Sequence, residues 1–429
     1  MNTDDFRGLF SSVGQEALHA ASSLEPKEED FLRHFTHLSK RYPPGLARAA
    51  LETAILRKEA TVKFPCAGRM YFSRPALEQA SSYSVSSYRA KRFEGFDSLL
   101  DLGCSIGGDT ICLASVAPVV ALDRDPLRLL MAQANVQALG LDGRASFVWA
   151  DLKDRLPFSR SRLAGMGVFF DPGRRVEGRR VYTVRDYQPS LSVVQGWLND
   201  CPAIGVKISP GVDLDELVEY EAEVEFVSLN NELKEAVLWF GPLKTAARRA
   251  TVLPGKHTFV TPPEMENEIG QGDAGPARLL PLDEPRAYIY EPDPSILRAG
   301  LVQPLGLQLD AAQLDPEIAY LTSDRLVETP FARVWRVETW LPFNLKNLRK
   351  ELRQRGVGQV VVKKRGSPIQ PQDLIRQLRL EKDRQAAPNE RVLFLTQLDD
   401  RPIVIVCWGE ELAINREEIS LEDGSPDQS

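Results

Sequence analysis

The stretch Leu99–Asp109, with the sequence LLDLGCSIGGD, constrains the fold more than any other part of the chain. Its apolar start indicates a short buried strand, and Thr110–Ala117 has the composition of a following helix. Gly103, Gly107 and Gly108 permit a tight turn and let the backbone approach a ligand where a Cβ would block it. The spacing Asp-x-Gly-x-x-x-Gly differs from the dinucleotide pattern Gly-x-Gly-x-x-Gly and from the phosphate loop that ends in Gly-Lys-Ser/Thr. A strand, turn and helix are therefore predicted here, as a ligand site or as a purely structural turn.

Acidic residues end the next two predicted strands. Val119–Leu122 forms a strand followed by Asp123, which comes twenty-two residues after Asp101. A carboxylate at this place offers two acceptor oxygens to the two hydroxyls of a ribose. Ser146–Trp149 predicts a third strand, and Asp151 after it is placed to accept from an adenine amino group. The alternative for both acids is a turn or a helix cap, which is common for Asp.

The downstream order of strands predicts the fold class. Met166–Phe170 and Ala203–Ile208 are two more strands of the alternating pattern, while Glu223–Leu229 and Glu235–Phe240 are joined by a short turn and predict an antiparallel hairpin. Five strand–helix units that end in a hairpin are typical of a Rossmann-like α/β sheet of seven strands whose last strand is antiparallel.

The remaining chain predicts further domains. Before the sheet, apolar residues recur at helical spacing in Pro26–Ser39, in Leu46–Ala60 and in one helix from Pro75 to Tyr88. After it, a Pro-, Gly- and acid-rich stretch precedes two small sets of mixed helices and strands. The expected domains are an N-terminal helical region (1–95), the sheet domain (96–253), a linker (254–284), a small α+β domain (285–340), a second α+β domain (341–415) and a disordered tail (416–429).

Composition narrows the class of protein. Apolar residues make up 43% of the chain and charged residues 26%, and no run of about 18 apolar residues predicts a membrane span. Met1–Ala20 lacks the basic start and apolar block of an export signal. Five cysteines without paired spacing predict reduced thiols in a cytoplasmic protein, and four scattered histidines predict no metal cluster.

Positive charge is concentrated near the C-terminus. The net charge of −7 excludes a wholly basic nucleic-acid binder, but residues 343–384 hold twelve Lys or Arg against four Asp or Glu. Lys363, Lys364 and Arg365 are adjacent at a predicted strand end, which favours contact with phosphates. The alternative is a solvated helical face.

Several stretches together resemble a known family. The stretches are KFPCAGRMYFSR, LEQAS, DLGCSIGGD, FFDPGRR, VKISPG, EAVLWFG, YEPDPSILRAGLV, AYLTSD, TPFARVWRV and VVKKRG. They are similar to a bacterial family of class I S-adenosylmethionine (SAM) methyltransferase-like proteins with a THUMP-like C-terminal domain. The resemblance implies SAM as cofactor and a structured RNA, tRNA or rRNA, as partner, without membrane association. The residues expected to bind SAM are Asp101, Gly103, Cys104, Ser105, Gly107, Asp123, Arg124, Asp151, Leu152 and Asp171.

The residues after the fourth strand bear on the methyl acceptor. Methyltransferases that act on base amino groups place an aromatic residue in Asn/Asp-Pro-Pro-Tyr/Phe, whereas this chain has Asp171-Pro172-Gly173-Arg174. Asp-Pro-x-Arg resembles uracil-C5 RNA methyltransferases, but Cys201 precedes the fifth strand and lies at the wrong end of the sheet for a nucleophile. Neither acceptor chemistry is favoured.

A ribose 2′-hydroxyl fits the residues better. Ribose 2′-O-methyltransferases use a Lys-Asp-Lys-Glu set, for which the candidates are Lys63, Asp171, Lys207 and Glu235. The carboxyl ends of strands four and five and the start of the antiparallel last strand meet at one edge of the sheet. Each residue also has a structural alternative: Asp171 as a helix cap, Lys207 as an extended surface side chain, and Glu235 as its ion-pair partner.

The basic residues and the overall function leave further alternatives. Arg174 and Arg175 are expected to contact substrate phosphates, or else to belong to a charged loop without a ligand. The activity predicted is methylation of RNA. The competing functions are an RNA-binding protein that retains SAM without turnover and a methyltransferase for a small molecule or a protein.

Overall fold

The computed structural model describes residues 1–152, 156–176, 179–181, 183–262, 280–380 and 389–412, with backbone alone at 175, 176, 179 and 180. The chain divides into two compact units. Unit 1 comprises Met1–Val224 and Lys234–Thr245, and unit 2 comprises Glu225–Leu233 and the chain from Ala246 onward. Within the described ranges, no helix is both long enough and apolar enough to cross a membrane.

Unit 1 begins with helices that pack against the α/β sheet. Pro44 at the first position of a 17-residue helix supplies the φ that a helix start needs, and Asp125 caps another by accepting from the amides of Leu127 and Arg128. The helices are α1 (Thr3–Gly8), α2 (Ser12–Ser23), α3 (Phe31–Leu38), α4 (Pro44–Ala60), α5 (Arg74–Gln79), α6 (Tyr83–Ala90), α7 (Gly108–Val116), α8 (Pro126–Ala138), α9 (Arg160–Leu163) and α10 (Val193–Leu198).

The strands in chain order are β1 (Leu99–Leu102), β2 (Val119–Asp123), β3 (Ala145–Trp149), β4 (Gly167–Phe170), β5 (Arg175–Val176), β6 (Arg179–Arg180), β7 (Ile204–Ile208), β8 (Glu223–Leu229) and β9 (Glu232–Trp239). The parallel strands lie in the order β3, β2, β1, β4, β7, and the antiparallel β9 follows β7, with its hairpin partner β8 beyond it. Strands β1 and β4 are buried along their whole length, because helices cover both faces of a parallel sheet. The predicted Rossmann-like order of seven strands with a reversed last strand is confirmed, and two further strands, described below, bring this sheet to nine strands within the described residues.

The predicted helix from Pro75 to Tyr88 is wrong, because the chain breaks between α5 and α6. Ala80 has an extended ψ of 137° and ends α5, and two serines follow before α6 begins. Serine side chains compete with the backbone for hydrogen bonds, so they favour a break at this point. The break exposes three carbonyl oxygens at the end of α5 and directs Ser81 toward the sheet, as described below.

Unit 2 contains the end of the sheet and a second sheet. Strands β10 (Arg248–Leu253) and β11 (His257–Val260) form a hairpin whose turn contains Gly255 at φ 95°. Residues 254–284 were expected as a linker, but their first part is this hairpin, because Pro-Gly-Lys makes a turn that returns the chain onto β10. The expected tail (416–429) and the middle of the linker lie outside the described residues.

The second sheet has seven strands and carries most of the C-terminal chain. Its order is β13, β14, β12, β15, β18, β17, β16, with β16 and β17 parallel and the long β15 pairing with β12 first and with β18 later. The elements are β12 (Tyr288–Pro292), α11 (Pro294–Ala299), α12 (Val302–Gln308), β13 (Ala312–Asp315), β14 (Ile318–Ser323), β15 (Ala332–Pro342), α13 (Leu345–Gln354), β16 (Gln359–Lys364), α14 (Pro371–Leu378), β17 (Glu390–Leu398) and β18 (Arg401–Trp408). This confirms the mixed α+β character predicted for the C-terminal region.

Candidate active site

The glycine turn after β1 packs closely against the residue that follows β4. Gly103 has a φ of 82°, and a Cβ added there would lie 2.6 Å from the backbone oxygen of Asp171, the residue that follows β4. Gly107, at φ 79°, precedes the first residue of α7. Because L side chains rarely adopt these angles, glycine is required at both positions. The turn therefore brings the ends of β1 and β4 into close contact.

Backbone hydrogen bonds hold the same turn against the end of β2. The amides of Gly103 and Cys104 donate to the carbonyl of Leu122 at 2.8 and 3.0 Å, and the Ser105 amide donates to Oδ2 of Asp123 at 2.8 Å. The buried Cys104 thiol has a pKa raised well above its ordinary value by burial. The amides of these three residues are therefore engaged within the protein and hold the turn in place.

Asp123 lies where the sequence predicted an acceptor for a ribose. Its two oxygens accept from the amides of Ser105 and Asp125, both at 2.8 Å, and each oxygen keeps a second lone pair for a ligand. Arg124 and Asp151 are exposed beside it and Leu152 is buried. The exposed indole of Trp149 donates to the Arg124 carbonyl at 2.9 Å. Residues at the ends of β2 and β3 therefore form one polar rim.

Asp101, near the end of β1, is a buried acid with one carboxyl oxygen that has no hydrogen-bond partner. It is 1% exposed, its Oδ2 accepts from the Thr110 hydroxyl, and its Oδ1 has no hydrogen-bond partner. Burial, followed by repulsion from Asp109, raises its pKa to about 8. Asp101 is therefore a neutral carboxylic acid at pH 7, with one polar atom that a ligand in the glycine turn would satisfy.

Asp171 and Lys207 form the central pair of the site. The Lys207 ammonium donates to Oδ2 of Asp171 at 2.8 Å, and the Asp171 amide donates to the Leu102 carbonyl at 3.0 Å. The Lys207 side chain is 4% exposed, whereas that of Asp171 is 24% exposed. Oδ1 of Asp171 is thus the atom of the pair best placed to meet a substrate.

The other two residues of the predicted set are engaged elsewhere. Glu235 is buried, pairs with the Arg89 guanidinium and accepts from the Ser81 hydroxyl at 3.1 Å. The Lys63 ammonium donates to the carbonyls at the end of α5, namely those of Leu77, Glu78 and Ala80 at 2.7, 3.1 and 3.0 Å. Burial and then repulsion by Lys207 and Lys234 lower the pKa of Lys63. The structure therefore joins Asp171 with Lys207, and it gives Glu235 and Lys63 other partners.

Sequence reasoning missed Arg89, which lies behind this edge of the sheet. Its guanidinium binds Asp109 on α7 and Glu235 on β9 and lies 4.3 Å from the Phe169 ring. Burial would raise the pKa of Asp109, but Arg89 and then Lys207 outweigh it and hold that pKa below its ordinary value. Glu235 is 146 residues from Arg89 in the sequence, so no local pattern signals this pairing.

The basic residues predicted to contact substrate have mixed surroundings. In unit 2, Lys363 is bound to Glu291 at 2.5 Å and lies over the Trp335 ring. Lys364 donates to Oε1 of Gln370 at 3.3 Å, and the Arg365 guanidinium lies 5.3 Å from the Tyr320 ring. In unit 1, Arg174 is half-buried, and the side chain of Arg175 lies outside the described residues. Lys364 and Arg365 keep more of their donors for a ligand than Lys363 does.

Comparison with known proteins gives relatives for nearly the whole chain. S-adenosylmethionine-dependent methyltransferases of two Mycobacterium tuberculosis strains, named as uncharacterized, are 34% identical over 348 residues, which cover 79% of this chain and 90% of theirs. A trimethylguanosine synthase of Schizosaccharomyces pombe is 30% identical over 128 residues, 26% of this chain and 53% of that protein. A solved structure assigned as a methyltransferase of Porphyromonas gingivalis W83 matches 90% of this chain and 100% of its own, with a TM-score of 0.73 and 23% identity, which shows a common fold.

Family models match both ends of the chain. Residues 332–408 match the model described as THUMP domain-like, and residues 2–60 match a domain of unknown function. The fold and the site at the sheet edge define a class I methyltransferase. The chain belongs to the S-adenosylmethionine-dependent methyltransferases, with a THUMP-like domain at its C-terminus.

The residues at the sheet edge fit SAM as the cofactor. Gly103 lets the turn approach the Asp171 backbone more closely than a Cβ would allow, Asp101 presents a buried oxygen without a partner, and Asp123 keeps lone pairs for a diol. These groups lie at the ends of adjacent strands β1 and β2, the usual place for a nucleoside ligand in an open α/β sheet.

Proposed function

We propose that this methyltransferase acts on structured RNA, tRNA or rRNA, in the cytoplasm, and that its acceptor is a ribose 2′-hydroxyl placed beside Asp171. The observation that carries the proposal is the 2.8 Å bond between the Lys207 ammonium and Oδ2 of Asp171 at the edge next to the glycine turn. The THUMP-like domain supports an RNA partner, and Arg174 and Arg175 are the phosphate contacts proposed for unit 1. Lys364 and Arg365 are the contacts proposed for unit 2, with Lys363 holding Lys364 and Arg365 in place through Glu291.

The Asp171–Lys207 pair is suited to a hydroxyl that loses its proton. SAM supplies an electrophilic methyl group. Asp171 Oδ1 accepts the hydrogen bond of the hydroxyl and takes its proton as the hydroxyl oxygen provides the electron pair for the new oxygen–carbon bond. The bond between the methyl carbon and sulfur breaks at the same time, and its electron pair leaves with the sulfur as a neutral thioether. Lys207 fixes the orientation of the Asp171 carboxylate through Oδ2 and keeps its charge balanced at the moment of transfer.

Glu235 and Lys63 have supporting roles in this proposal. Glu235 accepts from both Arg89 and Ser81, so its charge is already compensated. Lys63 holds the end of α5, and thereby the turn that carries Ser81. Both residues shape the edge on which Asp171 and Lys207 act.

A second acceptor is favoured by one relative. The trimethylguanosine synthase has a methylated guanosine in its name and matches 128 residues of this chain. Transfer to the guanine base of an RNA is therefore the alternative. The lack of an aromatic residue after Asp171-Pro172 favours the ribose, because such a ring holds a base in place by stacking.

The test is methyl transfer from labelled SAM to total RNA of a strain that lacks the protein, followed by nucleoside analysis. A labelled 2′-O-methyl nucleoside is expected, and Asp171→Asn and Lys207→Met are each expected to lower the rate by about a hundredfold or more. SAM affinity in Lys207→Met should stay within a few-fold, because Lys207 is not among the residues expected to bind SAM.

Each other outcome rejects a stated part of the proposal. A label on guanine rejects the ribose and supports the alternative acceptor. A label on protein or small molecules with none on RNA rejects the RNA substrate, and full activity of Lys207→Met rejects the role of the pair. SAM binding without transfer to any acceptor favours an RNA-binding protein that lacks turnover.

A further inference from the structure

We infer that Arg89 is a positioning residue for methyl transfer, which joins the first turn of α7 to the start of β9 and so fixes the cofactor turn relative to the acceptor edge. Arg89 lies on α6 and its side chain is 3% exposed. Its guanidinium has two acidic partners on different elements, Asp109 and Glu235. A planar fork with five N–H donors can serve both at once, which the single ammonium of Lys cannot do in the same geometry.

Through Asp109, Arg89 contacts the helix that begins at the end of the glycine turn. Asp109 is the second residue of α7, which begins immediately after Gly107. Its carboxylate also accepts from the Ser86 hydroxyl at 2.5 Å, one turn before Arg89 on α6. The end of the glycine turn is therefore fixed to α6 by an ion pair and a charge-assisted hydrogen bond.

The Glu235 partner links the same guanidinium to the acceptor edge. Glu235 lies on β9, which pairs with β7, the strand that carries Lys207. Its other oxygen accepts from Ser81, in the turn that Lys63 holds. Arg89 thus joins α7, which begins at the cofactor turn, to β9, which pairs with the strand that carries Lys207.

Several acidic side chains surround the Arg89 guanidinium, which compensates their charge. The groups facing the guanidinium are Asp109 on α7, Glu235 on β9, Asp171 after β4 and Asp101 at the end of β1, with Lys207 near Asp109. Without Arg89, Asp109 and Glu235 lose their nearest cation, and a carboxylate left unpaired away from water destabilises the structure.

Arg92 offers a matched control three residues further along. It also binds a buried glutamate, Glu223 at 2.7 Å, and lies 5.3 Å from an aromatic ring, that of Trp239. It donates in addition to the Leu243 carbonyl at 2.7 Å. Its partners do not include α7 or the start of β9, so its loss reports the stability cost of removing a paired arginine alone.

The experiment compares SAM affinity by titration calorimetry and thermal unfolding for the full chain with Arg89→Met, Arg89→Lys and Arg92→Met. Arg89→Met is expected to weaken SAM binding by roughly tenfold or more, with an intermediate loss in Arg89→Lys. Arg92→Met should lower the unfolding temperature yet keep SAM affinity within about twofold.

The sign of the result separates positioning from simple electrostatics. Removal of a cation makes the site more negative, and charge alone would tighten the binding of a cationic sulfonium. Tighter or unchanged SAM binding in Arg89→Met therefore overturns the inference. If Arg89→Met does not fold, Arg89→Lys, which keeps the positive charge, decides: weaker SAM binding supports the inference and unchanged binding overturns it.

Discussion

Replacement of Gly103 by Ala tests the geometry of the cofactor turn most directly. The added Cβ would lie 2.6 Å from the backbone oxygen of Asp171, whereas ordinary contacts begin at 3.4 Å. A backbone oxygen cannot turn aside as a flexible side chain does, and the Asp171 amide is bonded to Leu102. The end of β4 must therefore move by about 0.8 Å, or the turn must open.

The expected magnitude has two parts that a control can separate. A positive φ costs an L side chain about 1–2 kcal/mol whatever its surroundings. Gly140, after α8, has a φ of 74° but no atom within 4 Å of its added Cβ, so Gly140→Ala carries the φ cost alone. Gly103→Ala adds the displacement of Asp171. We expect it to lower SAM affinity and methyl transfer by roughly tenfold to a hundredfold.

The assay measures SAM affinity by calorimetry, methyl transfer to RNA and thermal unfolding for both alanine variants. Gly140→Ala should lose stability and keep wild-type affinity and rate, while Gly103→Ala should lose all three. If the two variants bind SAM equally well, the turn after β1 does not hold the cofactor against the end of β4, and the site assignment fails.

Two further predictions concern Asp101 and the C-terminal cations. Because the pKa of Asp101 is raised to about 8, the folded chain holds a proton that the unfolded chain releases near pH 4, so this contribution to stability is present at low pH and is lost as pH rises through 8. Thermal unfolding should therefore depend less steeply on pH in Asp101→Asn than in wild type, and equal slopes would contradict the assignment. Lys363→Met should lower the free energy of unfolding, followed by tryptophan fluorescence, by about 1–2 kcal/mol, because its partner Glu291 is largely buried. Lys364→Met is its control: it should unfold as wild type and weaken RNA binding, and the reverse order of effects would refute the separation of roles.

Local sequence determined the α/β frame and much of the cofactor edge. Alternating strands and helices, the glycines after β1 and the acids at strand ends are patterns within a few residues, and they depend on backbone rules that act locally. The bounds of β2, β3, β4 and β7 were predicted to within about two residues, whereas the short strands β5 and β6 were not predicted.

Tertiary structure alone decided how the charges of the site are shared. Topology brought Lys207 to Asp171, as the sequence predicted, but the partner of Glu235 is Arg89, and Lys63 binds the carbonyls of a helix end. The sequence shows which residues can carry a charge. Only packing determines which of these residues are buried next to one another, and the free energy of a buried charge depends on every neighbour within a few ångströms. The neutral state of Asp101 at pH 7 follows from the same effect and has no signature in the sequence around it.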